Sequence, residues 1–377
     1  MSELSAVKRR LRIGIITTNK GTYSETFIKN HINELPFDKK VLYGGLSLLR
    51  DWNTEQPLLY PLVMKLANKL SPRRASRLQT YRLARWIKKN KVQVVLAEFG
   101  PVGEQVVDAC RQVNVPLVVH FHGDDAHAKK FIVPYNGYQR LTRHATAVIG
   151  VSKPMVKQLI SLGFPKEKVH LIPYGIDTAF FAQGSPRGSS PDFVAVGRFV
   201  DKKAPHLTIL AFSSVLQEVP NATLTLIGTG PLLTACKVLV DALQITEQVT
   251  FRGVCSPEQV QLQLQRSRAF LMHSVTPDTG GKEGTPLSIL EASATGLPVV
   301  STQHAGIPEA IVHGTSGFLV EEGDIKRMAH YITVLAKDAS LAQQMGEAGQ
   351  KHIAAHYNLS EQIAKLAAMI KRTAGGR

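Results

Sequence analysis

Short runs of β-branched and aliphatic residues recur along the whole chain with helix-period stretches between them, and this alternation leaves few folds open. In the first half the runs are Arg12 to Thr18, Lys40 to Tyr43, Val92 to Ala97, Pro116 to Phe121, Ala145 to Gly150 and Val169 to Pro173. In the second half they are Phe193 to Gly197, Ala222 to Ile227, Val249 to Arg252, Ala269 to Met272, Pro298 to Thr302 and Gly317 to Val320. Runs this short and this apolar read as parallel strands buried on both faces. Stretches such as Val102 to Val113 and Lys153 to Leu162 are long enough to be the crossover helices. The fold class is therefore α/β, with two Rossmann-like, doubly wound sheets. The segment from Gln183 to Pro191, rich in Gly, Ser and Pro, reads as a linker. The expected organisation is an N-terminal domain over 1–185, a second domain over 186–355 and a C-terminal helix over 356–377 that packs on either domain, back on the first included. A chain of 377 residues divided this way should carry two cores. Ligands of such open sheets sit outside the strand C-terminal ends, here in the cleft between the domains.

Charge separates the halves. Residues 1–185 carry 28 Lys and Arg against 13 Asp and Glu, a net of +15, whereas residues 186–377 carry 17 against 16. An anionic partner is expected for the first half alone. Ten basic residues and no acidic one lie between Lys65 and Lys91, and Ser71-Pro72 is a helix start within that stretch. At 100° per residue, Arg73, Arg74, Arg77, Arg82, Arg85, Lys88 and Lys89 fall on one half of the wheel and Leu83, Trp86 and Ile87 on the other. One face docks on the domain, and the cationic face suits an anionic membrane surface. Three cysteines without a CxxC pair fit a reducing compartment. The apolar run after Arg12 is too short for a signal peptide or a span.

Gly280-Gly281-Lys282-Glu283-Gly284-Thr285-Pro286-Leu287-Ser288-Ile289-Leu290-Glu291 is the most informative stretch. Thr285 as N-cap and Pro286 as first helical residue predict a helix that ends near Gly296. A helix N-terminus after a glycine run offers free N–H groups to a phosphate or diphosphate. Glu283 at its mouth and Glu291 about two turns in have no use for the phosphate itself; they suit sugar hydroxyls.

Two glutamates separated by seven residues resemble the paired-glutamate signature of retaining glycosyltransferases of the GT-B fold, specifically glycosyltransferase family 4. Phe193 to Phe199 with Lys202-Lys203-Ala204-Pro205 resembles the family's strand, Gly-Arg turn and basic residue. Leu226 to Pro231 resembles its second glycine turn, Phe251 to Val254 its base-pocket strand, and Thr302 to Glu309 the run after the paired-glutamate helix. Gly150-Val-Ser-Lys153 and Ile172-Pro-Tyr-Gly-Ile-Asp177 are also similar to it. The likeness covers most of residues 90–325, and departs where Ala204-Pro205 stands in place of the usual glycine.

This resemblance implies a GT-B architecture and transfer of a sugar from a UDP- or GDP-sugar, with retention, to an acceptor hydroxyl. Arg198 and Lys203, with Lys202 as an alternative, would meet the diphosphate charge. Glu283 would hold the transferred sugar, Gly284, Thr285, Pro286 and Leu287 the distal phosphate, and Glu291 the ribose. Arg252, Gly253 and Val254 would frame the base, and Gly21 would lie over the diphosphate. His122 aligns with the family's active-site histidine, and His120, on the same strand face, competes with it. Glu25 orients an acceptor hydroxyl or is a helix-start carboxylate; Asp124 and His120 belong to the same acceptor group, with a hydrogen-bonded core residue as the alternative for His120. No metal or other cofactor is expected. The partners implied are the nucleotide sugar, a lipid-linked acceptor and an anionic leaflet, at the cytoplasmic face, in polysaccharide or glycolipid synthesis. A soluble acceptor is the alternative. A nicotinamide dehydrogenase would need Gly-x-Gly-x-x-Gly where the chain reads Gly14-Ile-Ile-Thr-Thr-Asn-Lys-Gly21. A nucleic-acid-binding protein would need more than 7% aromatic residues and no acidic pair at its phosphate site.

Overall fold

A computed structural model describes residues 10–20, 25–44, 50–51, 71–182 and 190–375. The expected linker lies almost wholly outside these residues, as does Gly21. The first sheet is built from β1 (Arg12–Thr17), β2 (Asp38–Tyr43), β3 (Arg50–Asp51), β4 (Val94–Glu98), β5 (Leu117–Phe121), β6 (Ala147–Gly150) and β7 (Val169–Leu171). Its order is β3-β2-β1-β4-β5-β6-β7, all parallel except β3, which runs antiparallel to β2. Sequence reading missed β3 because two residues are too few to show a period. The second sheet contains β8 (Asp192–Val196), β9 (Thr223–Ile227), β10 (Val249–Gly253), β11 (Ala269–Met272), β12 (Val299–Thr302) and β13 (Gly317–Val320). Its order is β10-β9-β8-β11-β12-β13, parallel throughout. In each sheet the strand order reverses once, beside β1 and beside β8, and these reversals open the crevices where ligands bind.

Alternation along the strands shows why the runs had to be apolar throughout. In β4, Val95 and Ala97 join one buried cluster and Val94 and Leu96 another; in β5, Leu117, Val119 and Phe121 part from Val118 in the same way. Both faces are covered, so polar residues such as Glu98 and His120 are kept to the last positions of these strands. The second face of the first sheet is covered by the C-terminal helix Leu359–Gly375, whose Ile363, Leu366, Met369 and Ile370 pack with Ile13, Ile15, Val94 and Leu96. Each such aliphatic burial contributes about 1.5–3 kcal/mol.

The expectation of two separate cores needs correction. One continuous cluster runs from Val95, Val119 and Phe121 through Tyr174 and Phe181 to Ile289, Leu290, Phe270 and Val299, and so joins one face of both sheets. The short helix Thr178–Phe181 packs directly on the helix Leu287–Ala294. An apolar junction of this kind wets poorly, which draws the two sets of strand ends together.

The helix expected from Ser71-Pro72 spans Pro72–Lys89. Leu83, Ala84 and Ile87 are buried while Arg77, Arg82, Arg85, Lys88 and Lys89 are exposed, along with Leu78 and Tyr81. The side chains of Arg73 and Arg74 lie outside the described residues. Among the described residues no helix is long and apolar enough to cross a membrane.

Candidate active site

The strand ends converge on a cavity of about 660 Å³ between the domains. Its C-terminal wall begins where β8 ends: Gly197 and Arg198 line it, and Lys202 and Lys203 follow from a single 3-10 turn, Asp201–Lys203. The next residue, Ala204, sits at φ 35°, ψ 53°, a left-handed conformation that costs a residue with a Cβ about 1–2 kcal/mol. A glycine adopts it freely, which explains the glycine usual at that point in the resemblance. Opposite the lysines lies the glycine-rich loop. Lys203 Nζ is 3.3 Å and Lys202 Nζ 3.8 Å from Glu283 Oε1. Burial works to raise the Glu283 pKa, but Lys202 and Lys203, with His304 beyond, outweigh it and hold it down to about 2. Glu283 is thus an anion near neutral pH, and among the described residues its Oε1 has no aligned hydrogen bond.

The helix here is Leu287–Ala294, with Pro286 at the N-cap. The expected Thr285 cap is therefore corrected: the Thr285 hydroxyl is buried with no partner among the described residues, because the turn places Pro286 where the cap should stand. Glu291 is accordingly little more than one turn into the helix. It lines the cavity, and burial alone pushes its pKa up to about 7. Thr285, Pro286, Leu287 and Ser288 also line the cavity, and first-turn N–H groups have no intrahelical acceptor. Gly284 is required by close approach: a Cβ there would lie 2.5 Å from Val151 Cγ2 and 2.8 Å from the His122 carbonyl oxygen. Val254 and Cys255 close the far end, whereas Arg252 and Gly253 do not reach the wall.

Sequence reading missed the support beneath Glu283. The Glu283 N–H donates to His304 Nε2 at 3.1 Å, and His304 Nδ1 pairs with Glu322 Oε1 at 2.6 Å. Since Nε2 accepts, the imidazole proton is on Nδ1, and Glu322 holds it there. Glu322 in turn accepts from the Thr276 N–H at 2.7 Å. The only signal in the sequence was a histidine within Thr302 to Glu309, whose partner lies 18 residues on.

The N-terminal wall is built differently. Thr18, Asn19, Glu25, Phe27, Phe99, Pro101, His122, Asp124, Phe131 and Tyr174 line it. Glu25 occupies the N-cap of the helix Thr26–Glu34 but makes no capping bond. Its half-buried carboxylate accepts from Asn19 Nδ2 at 3.4 Å, and burial raises its pKa. His122 lies in the wall with both nitrogens turned inward, Nδ1 to Tyr174 Oη at 2.9 Å and Nε2 to Glu98 Oε2 at 2.9 Å, its ring stacked on Phe27. His120 is corrected as an acceptor residue: it is buried behind His122, stacked on His31, and does not reach the cavity. Asp124 does line the cavity, but its Oδ1 takes Lys202 Nζ at 3.0 Å, so it bridges the domains.

Two carboxylates whose roles the sequence does not show organise this wall. Glu98, fully buried at the end of β4, accepts from both His31, at 2.8 Å, and His122. Burial opposes its ionisation, yet His31 and His122 hold it well below the usual carboxylate range. Asp125 Oδ1 accepts the N–H groups of His122 and Gly123 at 2.9 Å each, and Oδ2 that of Gly100 at 3.0 Å. It ties the ends of β4 and β5 together. Among the described residues, His31, Glu98 and His120 form one group close enough to share a metal ion. That group lies behind the wall and does not face the lysines, so it is not placed to meet a diphosphate beside them.

Comparison with known proteins bears on this geometry. The family model described as Glycosyl transferases group 1 matches residues 177–352, and that described as Glycosyltransferase Family 4 matches residues 49–180. The chain is 28% identical over 283 residues to a putative colanic acid biosynthesis glycosyltransferase, WcaL, of Salmonella typhimurium, covering 72% of this chain and 70% of that one. It is 27% identical over 261 residues to a GDP-mannose-dependent alpha-(1-6)-phosphatidylinositol monomannoside mannosyltransferase of Mycobacterium tuberculosis, covering 66% and 68%. In fold it is similar to Anabaena HepE, crystallised in complex with UDP and glucose, with a TM-score of 0.75 at 16% identity over 96% of this chain and all of that one.

Proposed function

The chain belongs to the group 1, family 4 glycosyltransferases of the GT-B fold, and from that premise we propose that it moves a sugar from a UDP- or GDP-sugar to an acceptor hydroxyl with retention at the anomeric carbon. The observation that carries the reading is Glu283 held as an anion between Lys202, Lys203 and the start of the Leu287–Ala294 helix. A diphosphate seated on Arg198, Lys203 and the first-turn N–H groups puts its sugar against Glu283, which accepts hydroxyl hydrogens. Glu291 accepts from the ribose, and Val254 flanks the base.

The bond between the anomeric carbon and the phosphate oxygen breaks as the acceptor oxygen approaches from the same face. The leaving phosphate oxygen takes the acceptor proton. Arg198 and Lys203 stabilise the charge that grows on that phosphate, and no divalent ion is needed for it. Lys202 to Asp124 and Gly284 to His122 are among the contacts that close the domains on the donor and exclude water.

The acceptor is lipid-linked in this reading. The exposed cationic face of Pro72–Lys89 supports it, since each basic residue near an anionic leaflet contributes about 1 kcal/mol. The chain then works at the cytoplasmic face of a membrane on a polysaccharide or glycolipid. Relatives named for colanic acid synthesis and for a phosphatidylinositol mannoside agree with that setting. Mass spectrometry after incubation of UDP- and GDP-sugars with a membrane lipid extract as acceptor source tests the proposal: one donor should give nucleoside diphosphate and a glycosylated lipid, and turnover of none would refute it.

A further inference from the structure

The C-terminal wall sets opposite charges against each other from two separate loops, and neither loop fixes that spacing alone. Lys203 Nζ and Lys202 Nζ lie 3.3 and 3.8 Å from Glu283 Oε1, so a shift of either main chain changes the room left between them for a ligand. Each main chain hangs on a neighbouring turn. The Lys202 carbonyl accepts from the Val275 N–H at 2.9 Å, and the Glu283 N–H donates to His304 Nε2 at 3.1 Å. Val275 belongs to the turn after β11 and His304 to the turn after β12. Both turns meet at Glu322, in the turn after β13. Its Oε2 accepts from the Thr276 N–H at 2.7 Å. Its Oε1 accepts from the Thr276 hydroxyl at 3.2 Å and from His304 Nδ1 at 2.6 Å.

Glu322 stands outside the cavity wall with its side chain 34% exposed, a place where a carboxylate is ordinarily hydrated. Here burial works against its ionisation, but the bonds from His304 and Thr276 outweigh it and lower its pKa. Bonds to an ionised acceptor are short and strong, which suits a joint that must hold two turns at once. The joint is itself anchored. The Gly323 N–H donates to His273 Nε2 at 2.8 Å, and the His273 N–H donates to Thr208 Oγ1 at 3.2 Å, with both His273 and Thr208 buried. An ordinary surface ion pair ends at its partner, whereas the bonds of Glu322 lead on to main-chain atoms of the charge cluster. We infer that Glu322 is a positioning residue for sugar transfer: through Thr276 and Val275 it holds the Lys202–Lys203 turn, through His304 it holds the Glu283 loop, and it thereby sets the distance between cations and carboxylate. The inference rests on the glycosyltransfer reading and names a residue outside the cavity on which that reaction depends.

The test uses Glu322→Ala, Glu322→Gln, His304→Phe and the double variant Glu322→Ala/His304→Phe of the full chain. Hydrogen-exchange mass spectrometry reads the coupling without substrate. Glu322→Ala should speed exchange in 273–276 and 281–284 together and His304→Phe in 281–284 alone, while β11 to β13 stay protected. Turnover is read as nucleoside diphosphate released from the UDP- or GDP-sugar that the wild type uses with a membrane lipid extract. Glu322→Ala should lower kcat about thirtyfold, while UDP or GDP affinity by calorimetry changes less than about threefold, because Arg198, Lys203 and the helix start remain to hold the diphosphate. In Glu322→Gln one acceptor oxygen faces two donor groups, so one branch breaks and kcat should fall about tenfold. The double variant should stay near the thirtyfold loss, whereas independent roles would multiply to about three-hundredfold. Unchanged exchange in either segment of Glu322→Ala, near-normal kcat, or multiplied losses in the double variant would overturn the positioning role. Should Glu322→Ala unfold, near-normal kcat in Glu322→Gln would overturn it equally. Turnover of no donor by the wild type would instead overturn the glycosyltransfer reading, whatever the exchange result.

Discussion

The two walls of the cavity reach the same place by opposite routes. The C-terminal wall is made of short contiguous pieces, Gly197 to Lys203 and Gly280 to Glu291, each carrying its chemistry within one loop and one helix start. The N-terminal wall is assembled from residues far apart in the chain: Glu98 meets His31 across 67 positions and His122 across 24. The first wall presents a cluster of cations and a carboxylate to a ligand, whereas the second buries Glu98 and Asp125 in internal hydrogen bonds and presents aromatic rings beside Glu25 and Asp124. The diphosphate is common to UDP- and GDP-sugars, so one local motif would serve either. Acceptors differ, and a wall built by convergence changes with any of its contributing strands.

Removing charge from the contiguous wall should have the largest effect. Lys203→Ala and Glu283→Ala should each lower turnover about a hundredfold or more. Their melting temperatures should stay within a few degrees of wild type, since both groups face the cavity. Near-normal turnover in either variant would break the assignment of this wall to the donor.

The contiguous wall has a long-range support in His304, and disturbing it should matter less. His304→Phe removes the acceptor for the Glu283 N–H and should lower kcat on the order of tenfold as the loop loses its aim. His304→Gln, which can accept at the same place, should recover most of that loss. Equal loss in both would mean that His304 merely fills space.

What was legible follows from the same contrast. Strand positions, the two sheets and the loop around Glu283 could be read because periodicity and motifs are local. The roles of Asp125 and Glu98 could not, because a carboxylate at or just beyond the end of an apolar strand carries no mark of what it will meet. The Thr285 cap was misread for a local reason: both Thr285 and Pro286 suit a helix start, and the fold uses the second. His120 and His122 share a face as alternation requires, but alternation says nothing of which is nearer the surface.

A smaller effect is expected from pH. Burial raises the Glu291 carboxyl to about 7, so it is protonated in mild acid and ionised above neutrality. Ribose hydroxyls favour the ionised form, so nucleotide affinity should strengthen as pH rises through 7 and level off above it. Without ligand the sign is reversed: a raised carboxyl favours the fold below its unfolded pKa, and that contribution is lost as pH rises through 7. Glu291→Gln should flatten the affinity profile and, by melting temperature, gain on wild type at pH 8 compared with pH 5. A pH-independent affinity in the wild type would remove Glu291 from the ribose.

Least dependent on the cavity is the cationic helix. Co-sedimentation with vesicles should require anionic lipid, weaken at high salt and fall when Arg77, Arg85, Lys88 and Lys89 are neutralised together. Equal binding to neutral vesicles, or none to anionic ones, would favour a soluble acceptor.

The central claim is that the C-terminal wall meets the donor diphosphate with its own cations and helix start. Calorimetric titration of the nucleoside diphosphate in EDTA, paired with transfer measured in the same buffer, addresses it most directly. The account predicts binding and transfer that survive chelation in the wild type, and binding lost in Lys203→Ala with or without added metal. Loss of both in EDTA, restored by manganese or magnesium, would contradict it.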